Sequence, residues 1–268
     1  MPSQIAQTLP LDILREIFDH AAAAQPAGRN PSLDTYNLGW IIVTHVCQRW
    51  RYAGLSAASL WADAVCAFPD PTIADELITR ARTCPLNLRH IFHDEKDTGA
   101  RSYRRSPQLT LSWALRYRSR ARHLQCYISM ASIVRDEDAE VKILFADPLP
   151  IVEDTSIMVD DNLLDFTTRS LFIAQLNAPV LGSASLFGML PAPTSTLPNL
   201  RTLRLYLDDI HATTIVDMAD ILNALRALPA LESLNLRLND AVESSVDGVS
   251  VRLEHLRFFQ SLLRPMKQ

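Results

Sequence analysis

The carboxy-terminal third of the chain repeats one short phrase. Pro179–Leu186 reads PVLGSASL, Pro198–Leu205 reads PNLRTLRL and Pro229–Leu236 reads PALESLNL, each of the form P-x-L-x-x-(L/A)-x-L. Leu253, Leu256 and Phe258 carry the spacing a fourth time without the proline. Counted from Leu181, Leu200, Leu231 and Leu253, the periods are 19, 31 and 22 residues. An L-x-L pair on a strand turns both leucines to one side, and stacking neighbouring strands buries them as a continuous apolar column. Thr213–Leu228, with Ile215, Met218, Leu222 and Leu225, predicts a helix outside that column, which accounts for the 31-residue interval. Leucine-rich strands of an ordinary α/β domain are the alternative, but the proline recurring at one offset argues for a repeat.

The phrase and its irregular period resemble leucine-rich repeats: three good copies, one partial copy and weaker echoes near Leu124. If such strands line a concave face, the residues alternating with the buried leucines point into it. These are Arg204, Tyr206, Asn235, Arg237 and Arg257, the substrate-binding candidates. Arginine's planar fork suits carboxylate and phosphate, so an acidic or phosphorylated segment is the expected ligand. Polar strand faces also serve solubility alone, and both readings stay open. The chain ends ten residues past Phe258 without a polar capping repeat, so a short array closed by a partner, or a longer natural chain, is expected.

The amino-terminal third is helical by pattern. In LPLDILREIFDH, Pro10 suits a first helical turn and Asp12 the positive end of the helix dipole. Leu9, Ile13, Leu14, Ile17 and Phe18 form one stripe, and the helix runs into Ala21–Ala24 before Pro26. Gln25–Asn37 is a polar loop by composition. A second helix is expected over Leu38–Ala53, capped by Asn37, burying Val43, Val46, Cys47 and Trp50. The third element, LSAASLWADAV, carries Leu60 and Trp61. Three helices this short supply only a small core of their own.

Taken in order, LPLDILREIF, a loop, HVCQRWRYAGL and SLW resemble the F-box, a three-helix module that docks onto the Skp adaptor of cullin–RING ubiquitin ligases. The closest likeness is to the variant common in fungal proteins, with a loop insertion between the first two helices. The resemblance covers Thr8–Val65. Leu9 and Pro10 match the family's opening Leu-Pro; Ile13, Leu14, Ile17 and Phe18 its first-helix face; Val46, Cys47 and Trp50 its second; and Leu60 and Trp61 its closing Leu-Trp. In the family such positions divide between internal packing and the adaptor interface. Asp12 stands where many members have Glu.

Phe68–Pro71 is a proline-bounded break, which divides the chain into a helical domain at 1–67 and a repeat-like domain at 72–268. After it, Ala74–Arg82 reads as a helix and CPLNLRHIF as a strand with Leu86, Leu88 and Ile91 alternating. Residues 101–122 hold seven arginines and no acid, interleaved with Tyr103, Trp113 and Tyr117, the mixture of a nucleic-acid surface. Leu109, Trp113 and Leu115 equally suit an inward face with Arg116, Arg118, Arg120 and Arg122 in water. Residues 136–165 then carry ten acids against Lys142, so the two runs are expected to face each other, or the acidic one to be a flexible loop. Cys84, His90, His93, Asp94 and Glu95 lack any recognised zinc spacing and read better as a buried thiol beside two surface histidines.

Several functions are excluded. The chain of 268 residues has seven glycines, and the nearest two, Gly182 and Gly188, are six apart. That forbids G-x-G-x-x-G, G-x-x-x-x-G-K and G-x-S-x-G, whose glycines let backbone approach a phosphate or turn under a nucleophile. No H-E-x-x-H or calcium-loop pattern occurs. The net charge of -4 does not suit a general binder of nucleic acid or anionic membrane. No apolar run approaches the roughly 18 residues of a membrane span. Met1–Phe18 does not read as a secretory signal, because Arg15 and Glu16 interrupt it. Cys47, Cys66, Cys84 and Cys126 are widely spaced and expected to be reduced thiols of an intracellular protein.

The expected fold class is therefore α+β: an N-terminal three-helix F-box module followed by an irregular leucine-rich-repeat-like α/β solenoid. The pairing resembles an arrangement in which the repeats select substrates for the ligase. That resemblance implies a substrate-recognition adaptor in the cytoplasm or nucleus, neither an enzyme nor cofactor-dependent, whose partners are a Skp-family subunit and a substrate protein. An F-box-like scaffold acting outside a ligase is the alternative, and an Arg-rich nucleic-acid module at 101–122 a third.

Overall fold

The computed structural model describes residues 7–30, 35–92, 109–129, 139–160, 172–207, 216–239, 242–243 and 253–264. It divides into two compact units, Met1–Leu88 with Ser106–Leu109, and Arg89–Arg105 with Thr110–Gln268. The proline-bounded break at 68–71 lies inside the first unit. There Pro71 opens the helix Pro71–Ala81, and the Asp70 carboxylate accepts the N–H groups of Thr72 and Ile73 at 2.7 and 3.4 Å. A capping acid followed by proline at the first helical position starts a helix rather than a linker.

The first helix spans Leu11–Ala24 and buries Leu14 and Phe18. Residues 28–37, expected as a loop, contain a short antiparallel ladder of β1 (Gly28–Asn30) and β2 (Thr35–Asn37). Gly39 then passes so close beneath the end of the first helix that a Cβ there would lie 2.5 Å from the Pro26 backbone; its φ is +51°. The expected second helix is two pieces, a 3-10 helix Gly39–His45 and an α-helix Gln48–Ser56, with Cys47 extended between them. Ile41, Ile42, Val43 and Thr44 are four β-branched residues in succession, which lose side-chain freedom in an α-helix. The Thr44 hydroxyl also donates to the Ile41 carbonyl at 2.7 Å. The break turns Val46, expected inside, to the surface at 44% exposure, and Thr44 is buried in its place. Helix Ala58–Asp63 follows and buries Leu60 and Trp61.

The second unit is organised by a seven-stranded sheet whose strands lie side by side in chain order. Its strands are β3 (Leu86–Phe92), β4 (Ala121–Ser129), β5 (Asp154–Asp160), β7 (Ser183–Phe187), β9 (Thr202–Leu207), β11 (Ser233–Asn239) and β13 (Phe258–Arg264). The division between the units falls within β3. Every pairing from β4 to β13 is parallel. Parallel strands need crossovers. Here the returns are helices Ala139–Ala146 and Met218–Arg226, or short strands such as β6 (Phe172–Ala174) and β8 (Met189–Pro191), which pair in parallel with each other. The architecture is thus mixed helix and strand around one large sheet.

β7, β9, β11 and β13 each start with one main-chain step, in which two successive N–H groups converge on a carbonyl at the start of the neighbouring strand. Gly182 and Ser183 donate to Glu153 at 2.9 and 3.2 Å, and Arg201 and Thr202 to Gly182 at 3.0 Å each. Glu232 and Ser233 donate to Arg201 at 2.8 Å each, and Arg257 and Phe258 to Glu232 at 2.7 and 3.1 Å. The aligned residues are His123, Asp154, Ser183, Thr202, Ser233 and Phe258. Their intervals are therefore 31, 29, 19, 31 and 25 residues. This register moves the fourth copy of the repeated phrase: Leu256, not Leu253, is equivalent to Leu181, Leu200 and Leu231.

Inward residues of the strands form a column. Cys126, Ile157, Leu186, Leu205 and Leu236 lie in register across five strands and are buried. Helix Met218–Arg226 is capped by the Asp217 carboxylate and buries Ile221, Ala224 and the expected Leu225, whereas Met218 and Leu222 are half-buried. The remainder of the expected Thr213–Leu228 start falls outside the described residues.

Burial pushes the Cys126 thiol up to about 12. The neutral thiol is therefore favoured in the folded protein, and the unfolded chain, with its lower pKa, releases the proton first. The stabilisation is complete below about pH 9 and declines progressively as pH rises towards 12. Aromatic-disulfide titration at pH 8 should leave Cys126 unmodified until denaturant is added, whereas Cys47, Cys66 and Cys84 are each half-buried and should react first. Immediate modification of all four cysteines would contradict this burial.

Candidate docking surfaces

The eleven residues of the amino-terminal motif separate by burial. Leu14, Phe18, Leu60 and Trp61 are core, with at most 9% exposure. Leu9, Ile17, Cys47 and Trp50 are half-buried. Pro10, Ile13 and Val46 are exposed. The core is an aromatic cluster: Phe18 meets Trp40 edge-on at 6.1 Å and Trp50 at 6.2 Å, and Trp40 meets Trp61 at 4.7 Å. Trp61 Nε1 donates to the Gly54 carbonyl at 2.8 Å, and the Arg80 guanidinium lies over its ring at 4.8 Å. A Cβ on Gly54 would come within 2.6 Å of Thr44 and 2.9 Å of Phe18, so glycine is what lets helix Gln48–Ser56 approach. The Arg49 side chain ties the same helix to the Leu9 carbonyl at 2.8 Å.

Sequence patterning missed Trp40 and Gly54. Trp40 sits in an apolar run without helical period, and its only signal was size. What the core leaves outside is also apolar. Leu11, Ile13, Tyr36, Leu38, Ile42, Val46, Tyr52 and Leu55 are all at least 38% exposed. Scattered exposed leucines need no explanation, whereas larger exposed apolar patches are characteristic of interaction sites.

The second surface is the outward side of the sheet. Alternation along the strands gives two informative rows: Gln125, Ser156, Ser185, Arg204, Asn235 and Gln260, and beside it Tyr127, Met158, Phe187, Tyr206 and Arg237. Phe187 and Tyr206 are stacked 4.2 Å apart with rings 6° from parallel, and the Arg237 guanidinium lies over Tyr206 at 4.9 Å. Asn235 Nδ2 donates to Gln260 Oε1 at 3.3 Å. Four of the five substrate-binding candidates, Arg204, Tyr206, Asn235 and Arg237, are therefore neighbours on one face. Arg257 is not among them, because the shifted fourth copy places it at the strand-start step, exposed, ahead of β13. Phe187, Met158 and Gln260 were missed, since their strands show no distinctive outward pattern in the sequence.

At the other end of this face a cleft of about 280 Å³ is lined by Arg89, His123, Leu124, Gln125, Asp154 and Ser156. His123 Nδ1 is 3.8 Å from the Asp154 carboxylate.

Of the arginine-rich run, residues 101–108 lie outside the described residues. Arg118 pairs with Asp147, and Arg122 with Glu153 at 2.9 Å, so the basic and acidic runs do meet. Of the considered metal set, His93, Asp94 and Glu95 also lie outside the description, and among the described residues no group of three His, Cys, Asp or Glu side chains could hold an ion. No helix among the described residues is long and apolar enough to cross a membrane. Compared with family models, curated proteins and solved structures, the chain has no match in any of the three.

Proposed function

We propose that the chain is a substrate-recognition adaptor of a Skp–cullin–F-box ubiquitin ligase. In this reading Thr8–Val65 is an F-box docking on the Skp subunit, and the sheet is an irregular leucine-rich-repeat-like array whose outward face holds the substrate. The observation that carries it is the division of the amino-terminal motif: Leu14, Phe18, Leu60 and Trp61 close the core, while Pro10, Ile13 and Val46 remain outside among further exposed apolar side chains. Apolar side chains that a core leaves outside can meet a partner. The chain contributes proximity, raising the effective concentration of substrate lysines near a transfer centre on other subunits.

The test is co-purification of the full chain with a Skp adaptor, comparing wild type with an Ile13→Asp, Val46→Asp double variant. Both positions are exposed, so the variant should keep its circular dichroism spectrum and thermal transition. A stoichiometric wild-type complex is expected, weakened at least about tenfold in the variant. A well-folded wild type that forms no complex, or a variant that binds equally, overturns the reading.

A further inference from the structure

One inward row of the sheet ends differently from the way it runs. Leu124, Thr155, Ala184, Leu203, Leu234 and Phe259 lie in register on β4, β5, β7, β9, β11 and β13. The first five are at most 4% exposed, whereas Phe259 is 57% exposed and its neighbour Phe258, on the outward side, 54%. Among the described residues these are the two most exposed large apolar side chains of the second unit. The cause is position. β4, β5, β7, β9 and β11 each have a strand on both sides, but β13 has β11 on one side and no described strand on the other.

A strand in that place offers its free main-chain N–H and C=O groups to a further strand. Native sheets blunt such an edge with a proline, a bulge or a charge within the strand. FFQSLLR has no proline, and its one charged residue, Arg264, stands at the last position. All seven residues pair with β11 in unbroken register, so the backbone is extended before anything docks. The edge is about 23 Å long at about 3.3 Å per residue.

The order of residues along the strand selects the partner. A two-fold axis perpendicular to the sheet sets β13 antiparallel to β13 of a second copy and keeps both inward faces on one side. Directly opposite residues then share a side, so the axis must pass beside a residue. Centring on Ser261 pairs the whole strand: Phe258 with Arg264, Phe259 with Leu263, Gln260 with Leu262, and Ser261 with itself. Centring on Gln260 leaves Leu263 and Arg264 without a partner inside the strand. Leu263 stands in register with the inward Leu238, so the full-length pairing sets each uncovered Phe259 opposite an apolar residue of the same row face. On the other side it sets Arg264 opposite an aromatic residue, and no cation opposite a cation.

We propose that β13 is the seam of a homodimer, pairing antiparallel with β13 of a second copy about Ser261. The occupant is a second copy because the strand is its own complement, and one pairing removes the edge from both chains. The seam goes beyond the adaptor reading and does not rest on it. A dimer carries two outward faces, so a protein with two matching segments gains effective concentration at the second contact.

Sedimentation of the full chain from about 1 to about 100 µM should show a species of twice the 30.0 kDa chain mass, growing with concentration. Phe259→Lys should weaken that association at least about tenfold. Phe259 is exposed in the single chain, so the variant should keep the circular dichroism spectrum of wild type. Ser261→Cys reads the register. At the axis the two Cα atoms stand about 4.5–5.5 Å apart, within disulfide reach. Diamide oxidation should therefore cross-link this variant into a dimer on a non-reducing gel, above the wild-type background. Phe259→Cys should not exceed that background, because its two copies lie about 13 Å apart along the seam.

A monomer at every concentration overturns the inference, whether or not a strand from another protein takes the edge. So does association that Phe259→Lys leaves intact, or growth into open-ended species. A cross-link at Phe259→Cys as strong as at Ser261→Cys overturns it as well.

Discussion

Trp61→Ala should lower the unfolding free energy of the amino-terminal unit by about 3–5 kcal/mol, the range for deleting a fully buried large aromatic. The ring is 1% exposed, lies 4.7 Å from Trp40, and carries Arg80 on its face. Removing it opens a cavity that Phe18 and Trp40 cannot both fill, and takes away one of the two donors to the Gly54 carbonyl, leaving the Ala57 N–H at 3.2 Å. A Trp61→Phe variant separates the two losses, since it keeps most of the apolar volume and drops the N–H. It should cost about 0.5–1.5 kcal/mol, the net worth of one hydrogen bond, plus a small void, because the Ala57 N–H still donates to that carbonyl. Urea denaturation of the full chain, followed by circular dichroism and tryptophan emission and fitted with independent transitions for the two units, reads both. A Trp61→Ala cost below about 1 kcal/mol would mean the aromatic cluster is not the unit's core.

Leu205→Ala should destabilise the sheet by about 2–5 kcal/mol, the usual range for truncating a buried leucine. Leu205 is 0% exposed at the middle of the inward column, between Leu186 and Leu236 in register. Parallel strands on both sides fix its backbone, so the site cannot collapse around the vacancy and the cost should fall in the upper half of the range. The adjacent Arg204 provides the internal control. It points to the opposite face and is exposed, so Arg204→Ala should change stability by no more than about 0.5 kcal/mol. The same denaturation curves decide it. Equal costs at the two positions would mean that the assigned alternation is wrong, because a one-residue slip exchanges the faces.

Legibility in the sequence followed chemistry that repeats. β7, β9 and β11 were readable because L-x-L alternation and a leading proline are both local signals. β4 and β5 occupy equivalent places with Cys126, Thr155 and Ile157 inside, and Thr155 satisfies its buried hydroxyl by donating to the Leu124 carbonyl at 3.1 Å. Nothing in such a sequence announces a repeat. The fourth copy was misphased because Leu253 and Leu256 both fit the spacing, and only the hydrogen bonds from Arg257 and Phe258 to Glu232 choose between them. That slip of three residues is why Arg257 was placed on the face.

In the amino-terminal unit, the helical stripe showed which side of Leu11–Ala24 is apolar, not how deep each residue sits. Ile13 and Leu14 are adjacent in the chain, yet one is 38% exposed and the other fully buried.

The step that starts β7, β9, β11 and β13 uses main-chain atoms only, and it is indifferent to side chain: Glu153, Gly182, Arg201, Glu232 and Arg257 all occupy it. Register is therefore uncoupled from the length of the returning segment, since 19 residues and 31 residues deliver the chain to the same place. Insertions in the returns can vary freely without shearing the rows of the face. The number of strands sets the length of the face, and every second residue of each strand sets its chemistry. The scaffold and the chemistry of its face can thus change independently of each other.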